Sequence, residues 1–151
     1  ARTGRTLVDL LDALRAEHGE IRNTQVSVAY PGATGQDRLA TLLDGLRTTP
    51  PTEIGGRAVV SWTDLQDETG RMGRFVSRSD RAARNVLVAK LAAGDPEIDE
   101  GARVILRPSG TEPKLKVYVE VLGRPRLDAP ARRRVDDATA ALATAVRAWL
   151  A

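Results

Sequence analysis

Eight consecutive residues, Arg107-Pro108-Ser109-Gly110-Thr111-Glu112-Pro113-Lys114, concentrate the groups in this chain best suited to hold an anion. Arg107 offers a planar fork that can engage two phosphate oxygens, and Ser109 and Thr111 add hydroxyl donors. The backbone N–H groups of Ser109, Gly110 and Thr111 could form an anion-binding nest. Pro108 fixes its own φ, Gly110 can adopt a positive φ, and Pro113 removes one donor. Lys114 and Lys116 bring further positive charge. The same residue types also build an ordinary hairpin turn whose lysines are merely solvated, so residue chemistry alone leaves both readings open.

Other chemistry-bearing groups are less suited to a site. His18, the only histidine, lies at a helix end with no visible partner and reads as solvated. Asp64, Asp67 and Glu68 lie close together but lack the spacing of a Ca2+ loop. Gly55-Gly56 reads as a turn, because no helix follows it with donors aimed at one point.

Strands must carry the Arg107 loop. Ala102 to Arg107 is strand-like, and in Lys114 to Leu122 the apolar residues Leu115, Val117, Val119 and Val121 alternate with polar ones, the period of a half-buried strand. Thr24 to Tyr30 alternates in the same way and stops at Pro31-Gly32, and Arg57 to Trp62 follows the glycine pair. Gln36 to Arg47 places Leu39, Leu42, Leu43 and Leu46 on one helical face and ends before Pro50-Pro51. Asp128 is placed to cap a last helix over Pro130–Leu150, with Val135, Ala138, Leu142, Ala145, Val146 and Trp149 down one side. Thr6 and Asp9 have capping-box spacing ahead of Leu7, Leu10, Leu11 and Leu14, a helix that Gly19 stops. Trp62 and Trp149 read as packing residues and Arg132 to Arg134 as a solvated face. Arg71 to Arg84 reads as a mobile basic loop, Asn85 to Leu91 carries both strand and helix signals, and Gly94 to Gly101 is an acidic turn.

The run R-P-S-G-T-E-P-K-L-K-V-Y-V-E resembles the phosphate-binding loop of the C-terminal domain of the α-D-phosphohexomutases, a family of phosphomannomutases, phosphoglucomutases and phosphoglucosamine mutases. N-T-Q-V-S-V, L-R-T-T-P-P-T-E-I-G-G-R-A-V-V and D-L are similar to the same domain in the same order, so the likeness runs from Gly4 to Leu122. It favours a strand over Asn85–Leu91. The expected fold is α+β: an antiparallel sheet of about four strands with helices Gln36–Arg47 and Pro130–Leu150 on one face. The likeness implies that residues 1–20 are the last helix of a preceding domain and its hinge, close to Gly19–Asn23, and that residues 21–151 are the phosphate-binding domain.

The resemblance further implies an isomerase that moves phosphate between C1 and C6 of a hexose through a bisphosphate intermediate. In it, Arg107 would clamp the phosphate that is not reacting, Ser109 and Thr111 would give hydroxyl contacts, Gly110 backbone approach and Lys114 outer charge. The family's serine loop, its D-x-D-x-D-R metal loop and its sugar loop are absent. The chain is therefore expected to be inactive alone, and the Mg2+ of the full-length enzyme is expected to lie in missing N-terminal domains. T-E-P-K-L-K is more similar to phosphomannomutases and phosphoglucomutases than to phosphoglucosamine mutases. The alternatives are a freestanding phosphate-ester binding module without catalysis and a phosphoglucosamine mutase C-terminal domain.

Composition sets outer limits. Hydrophobic residues make up 42% and charged residues 28% of the 151, which describes a globular chain. There is no cysteine, hence no disulfide framework. The 23 basic residues face 20 acidic ones, and the basic clusters lack interleaved aromatics, so nucleic acid is not the expected partner. No apolar run is long enough to span a bilayer and Ala1 to Asp9 lacks a secretory pattern, so a cytoplasmic location is the default expectation.

Overall fold

The computed structural model describes residues 4–151. Among them the elements run α1 (Leu7–His18), β1 (Glu20–Ala29), α2 (Gly35–Thr48), β2 (Glu53–Ile54), β3 (Arg57–Asp64), α3 (Arg78–Ala83), β4 (Leu87–Leu91), β5 (Asp99–Pro108), β6 (Lys114–Gly123) and α4 (Ala129–Leu150). The strands form one sheet in the order β1-β6-β5-β4-β3-β2. Every neighbouring pair is antiparallel.

Six strands replace the four or so expected. The added edge strand β2 is two residues long and pairs with β3 across Gly55-Gly56, both at positive φ, and so short a run carries no period to detect. Strand β1 also starts earlier than its alternation suggests. Glu20 to Asn23 pairs with Gly123 to Glu120, so only Gly19 separates α1 from the sheet.

The alternation on β6 does what period two requires. Leu115, Val117, Val119 and Val121 are fully buried, and both α2 and α4 pack against this strand. Full burial of such side chains contributes about 1.5–3 kcal/mol each. Leu39 and Leu43 from α2, and Val135, Leu142 and Val146 from α4, complete the same core. Asp128 caps α4 as its position predicted, accepting from the Ala131 N–H at 2.8 Å. Trp62 and Trp149 are partly buried against the core.

Two segments are more ordered than their composition suggests. Within Arg71–Arg84, Ser77 caps the short helix α3 by accepting from the Asp80 N–H at 3.0 Å. The Arg84 guanidinium pairs with Asp80 at 2.7 Å, takes the carbonyls of Met72 and Gly73, and lies over the Phe75 ring at 5.3 Å. The donors of one guanidinium fork tie the segment together, and part of it is helical where an irregular loop was expected. In the acidic turn, Asp99 is fully buried and pairs with Arg57 through two 3.2 Å bonds while also accepting from the Gly94 N–H at 3.1 Å. The Arg132 to Arg134 stretch is likewise more than a solvated face. Arg132 approaches Glu20 at 3.6 Å and Arg134 pairs with Asp95.

Helix α1 has its predicted capping box but buries none of its residues. Its polar side meets the rest of the chain, through Arg15 to Glu20 at 3.0 Å and Asp12 to Arg132 at 3.9 Å. Leu7, Leu10, Leu11 and Leu14 are exposed. No helix among the described residues is long and apolar enough to cross a membrane.

Candidate anion-binding site

The β5–β6 hairpin sets the Arg107 loop at one end of the sheet. Arg107 pairs with Lys116 and Pro108 with Leu115 before the chain leaves the ladder. The Ser109 N–H closes the hairpin on the Lys114 carbonyl at 2.8 Å, and the Tyr30 N–H holds the Pro113 carbonyl at 2.8 Å. Helix α2 begins against the same loop. A Cβ at Gly35 would lie 1.8 Å from the Tyr30 carbonyl oxygen and 3.0 Å from the Pro113 Cβ, so only glycine permits that approach.

These contacts shape a cleft of about 460 Å3. Arg107, Pro108, Ser109 and Gly110 line one side, and Gln36, Gln66 and Asn85 bring polar side chains from three other segments. None of the three amides stands out in the sequence, because nothing local marks residues that converge only when α2, the connection after β3 and the lead-in to β4 meet. Thr111 is exposed at the tip of the loop, outside this lining.

Two details of the nest differ from expectation. The Ser109 N–H is spent on closing the hairpin, which leaves Gly110 and Thr111 as its backbone donors. Gly110 does not adopt a positive φ, and a Cβ there would meet nothing within 4 Å. Neither the backbone nor the packing of this chain calls for glycine at that position.

Charge around the loop is divided. Lys114 is bound to Glu112 at 2.8 Å and so is not the free outer cation its position suggested. The bonded Lys114 ammonium, with Lys116 farther off, holds the Glu112 carboxyl below the usual carboxylate range. Arg107 and Lys116 stand opposite each other across the two strands, and neither has an ion-pair partner among the described residues. Directly opposed cross-strand side chains are about 5 Å apart at Cβ, and like charges there repel.

Among the described residues, no group of three or more His, Cys, Asp or Glu side chains could hold a metal ion. Asp64 binds Arg47 at 3.0 Å, and Asp67 accepts from the N–H and hydroxyl of Thr69. The residues present do not fit the Mg2+ that the resemblance implies for the longer enzyme.

Comparison with known proteins agrees with the motif. A family model described as "Phosphoglucomutase/phosphomannomutase, C-terminal domain" matches residues 65–144, which include β4, β5, the loop and β6. The "Probable phosphomannomutase" of Haemophilus influenzae is 32% identical over 126 residues, 83% of this chain and 21% of that protein. A phosphoglucomutase of Staphylococcus aureus is 30% identical over 119 residues, 78% of this chain and 20% of that protein. The chain thus spans about a fifth of the length of the curated relatives it matches. A solved structure titled "Crystal structure of Ara h 8.0201" overlays on 87% of this chain and 98% of that one at 16% identity, but its TM-score of 0.38 is too low to bear on the fold.

Proposed function

The chain belongs to the family of phosphoglucomutase/phosphomannomutase C-terminal domains, and on that premise we propose that its Arg107 loop anchors the non-reacting phosphate of a hexose phosphate. The longer enzyme interconverts hexose 1-phosphate and hexose 6-phosphate through a bisphosphate. The phosphorylated serine and the Mg2+ belong to its other domains, so the isolated chain turns over neither ester. The contribution of this domain is positioning. Energy gained on the remote phosphate holds the sugar in line with a reacting centre that this domain never touches.

One observation carries the reading: Arg107 and Lys116 stand side by side with no ion-pair partner among the described residues, and Arg107 lines a cleft. A bound phosphate removes that repulsion and accepts the guanidinium fork through two oxygens. The Ser109 hydroxyl and the Gly110 and Thr111 N–H groups have no acceptor among the described residues and supply the remaining donors, with Lys114 acting through its charge. Residues 1–20, of which 1–3 lie outside the described residues, are read as the closing helix of a preceding domain and its hinge, close to Gly19–Asn23. The exposed apolar stripe of α1 supports this, since an amphipathic helix ordinarily buries that face.

The test is a titration of the chain with inorganic phosphate, followed by amide chemical shifts. Binding should be weak, at about millimolar, or roughly 4 kcal/mol, because the sugar side of the cleft is contributed elsewhere. The largest shifts should fall at Gly110 and Thr111 and vanish in Arg107→Ala. Shifts centred on Arg71–Arg84 or Arg132–Arg134 instead would reduce the loop to a turn.

A further inference from the structure

Asn85 lies two residues before Leu87, whose partner Leu106 lies two residues before Pro108, so Asn85 stands where β5 runs out into the loop. It lines the same cleft as Arg107, Ser109 and Gly110. Its side chain is held from behind. Arg47 Nη2 donates to Asn85 Oδ1 at 2.5 Å, while Arg47 Nε donates to Asp64 Oδ2 at 3.0 Å and Nη1 to Asp44 Oδ1 at 3.1 Å. An arginine has no acceptor, so the Asn85 atom facing it must be the carbonyl oxygen. The amide NH2 therefore occupies the other branch, and it has no acceptor among the described residues.

The other two amides in the lining differ from it. Gln66 spends its Nε2 on the Arg81 carbonyl at 2.9 Å, and the Gln36 side chain is exposed and has no hydrogen-bond partner among the described residues. Asn85 alone combines an orientation fixed by a charged group with donors left open. We infer that Asn85 is a further anchor of the anion site, its Nδ2–H groups donating to an oxygen of the phosphate that Arg107 holds. The inference rests on the reading of the Arg107 loop as an anion site. A phosphate presents more lone pairs than one guanidinium fork and two backbone N–H groups can fill, and a neutral amide fixed in advance supplies a donor without adding charge.

Asn85→Asp separates this role from a structural one. The carboxylate keeps the shape and the Arg47 bond, but it removes both donors and sets a negative charge beside the anion. In the phosphate titration of the chain, its affinity should fall at least about tenfold with no loss of thermal stability. Asn85→Ala should weaken phosphate binding severalfold while also lowering Tm, because Arg47 loses an acceptor. The Asn85 side-chain amide signals should themselves move with phosphate in the parent chain. If Asn85→Asp binds within twofold of the parent while Arg107→Ala abolishes binding, the loop reading stands and Asn85 is excluded from the site. Loss of Tm without loss of affinity in Asn85→Ala excludes it equally. If phosphate moves no signal at Gly110 or Thr111 in the parent, the loop reading fails and takes this one with it.

Discussion

Two cross-strand pairs on the same two strands, β5 and β6, meet opposite fates. Arg103 faces Glu120, with Nη2 at 2.5 Å and Nε at 2.7 Å from the same carboxylate oxygen. Four residues on, Arg107 faces Lys116, and two like charges share the position that an ion pair fills below. Opposite charges in such places contribute roughly 0.2–1 kcal/mol, and like charges cost a similar amount. The hairpin thus pairs its charges in its middle and, nearer the loop, leaves Arg107 and Lys116 without an ion-pair partner among the described residues. A fold optimised only for stability would repeat the first pair, and the proposed anion site gives the second a reason to persist.

The largest effect expected from breaking this contrast lies on its other face. Leu115 is fully buried directly beneath the loop, and Leu115→Ala should cost about 2–5 kcal/mol in denaturant unfolding. A loss below 1 kcal/mol would mean that the hairpin is not the rigid base the site requires. Next comes the fork itself. Arg107→Lys keeps the charge and should weaken phosphate binding by about 1–2 kcal/mol with Tm unchanged, since Arg107 is exposed and has no ion-pair partner among the described residues. Lys116→Glu is the sharpest test, because it rebuilds the Arg103–Glu120 pair four residues along. Stability should rise by about 0.2–1 kcal/mol while phosphate binding drops, the new carboxylate having taken the guanidinium. If both rise, or neither changes, the like-charged pair is incidental.

Smaller still is Gly110→Ala. Stability should stay within about 1 kcal/mol of the parent, with any gain arising in the unfolded chain, because the folded backbone is ordinary there and nothing lies within 4 Å of a new Cβ. Phosphate affinity should nevertheless fall if the anion sits on the backbone at that point. Least of all, the Glu112 carboxyl should titrate below an ordinary glutamate in a pH series read by carbon shifts. Its folded pKa is depressed, so the Lys114 pair is intact above the unfolded value and is lost only as pH falls through the lower, folded one. Lys114→Met should return that titration to the ordinary range.

The scaffold of the site was legible because it is written in local patterns. Period two on Leu115 to Val121 reports one-sided burial whatever lies opposite, and Asp128 with Pro130, or Thr6 with Asp9, encodes a helix start within four residues. Within the Arg107 loop, residue identity named the candidate donors. It did not reveal that the Ser109 N–H is consumed by the Lys114 carbonyl, or that Lys114 is paired with Glu112, since both depend on how tightly the hairpin closes.

What eluded the pattern lies far apart along the chain. Arg47 and Asn85 are 38 residues apart, and Arg57 and its buried partner Asp99 are 42 apart. Neither pair has a period or spacing that could announce it. Their meeting follows from the strand order that carries β4 between β3 and β5, and a charge such as Asp99 can leave water only because that order delivers Arg57 to it. Helix α1 shows the same division. Its leucine stripe and capping box specify a helix from sequence alone, but which side of that helix meets the sheet is settled by where Glu20 and Arg132 stand to receive Arg15 and Asp12. Hydrophobic spacing sets the secondary structure of a segment, whereas the partner of a polar group is a property of the assembled neighbourhood.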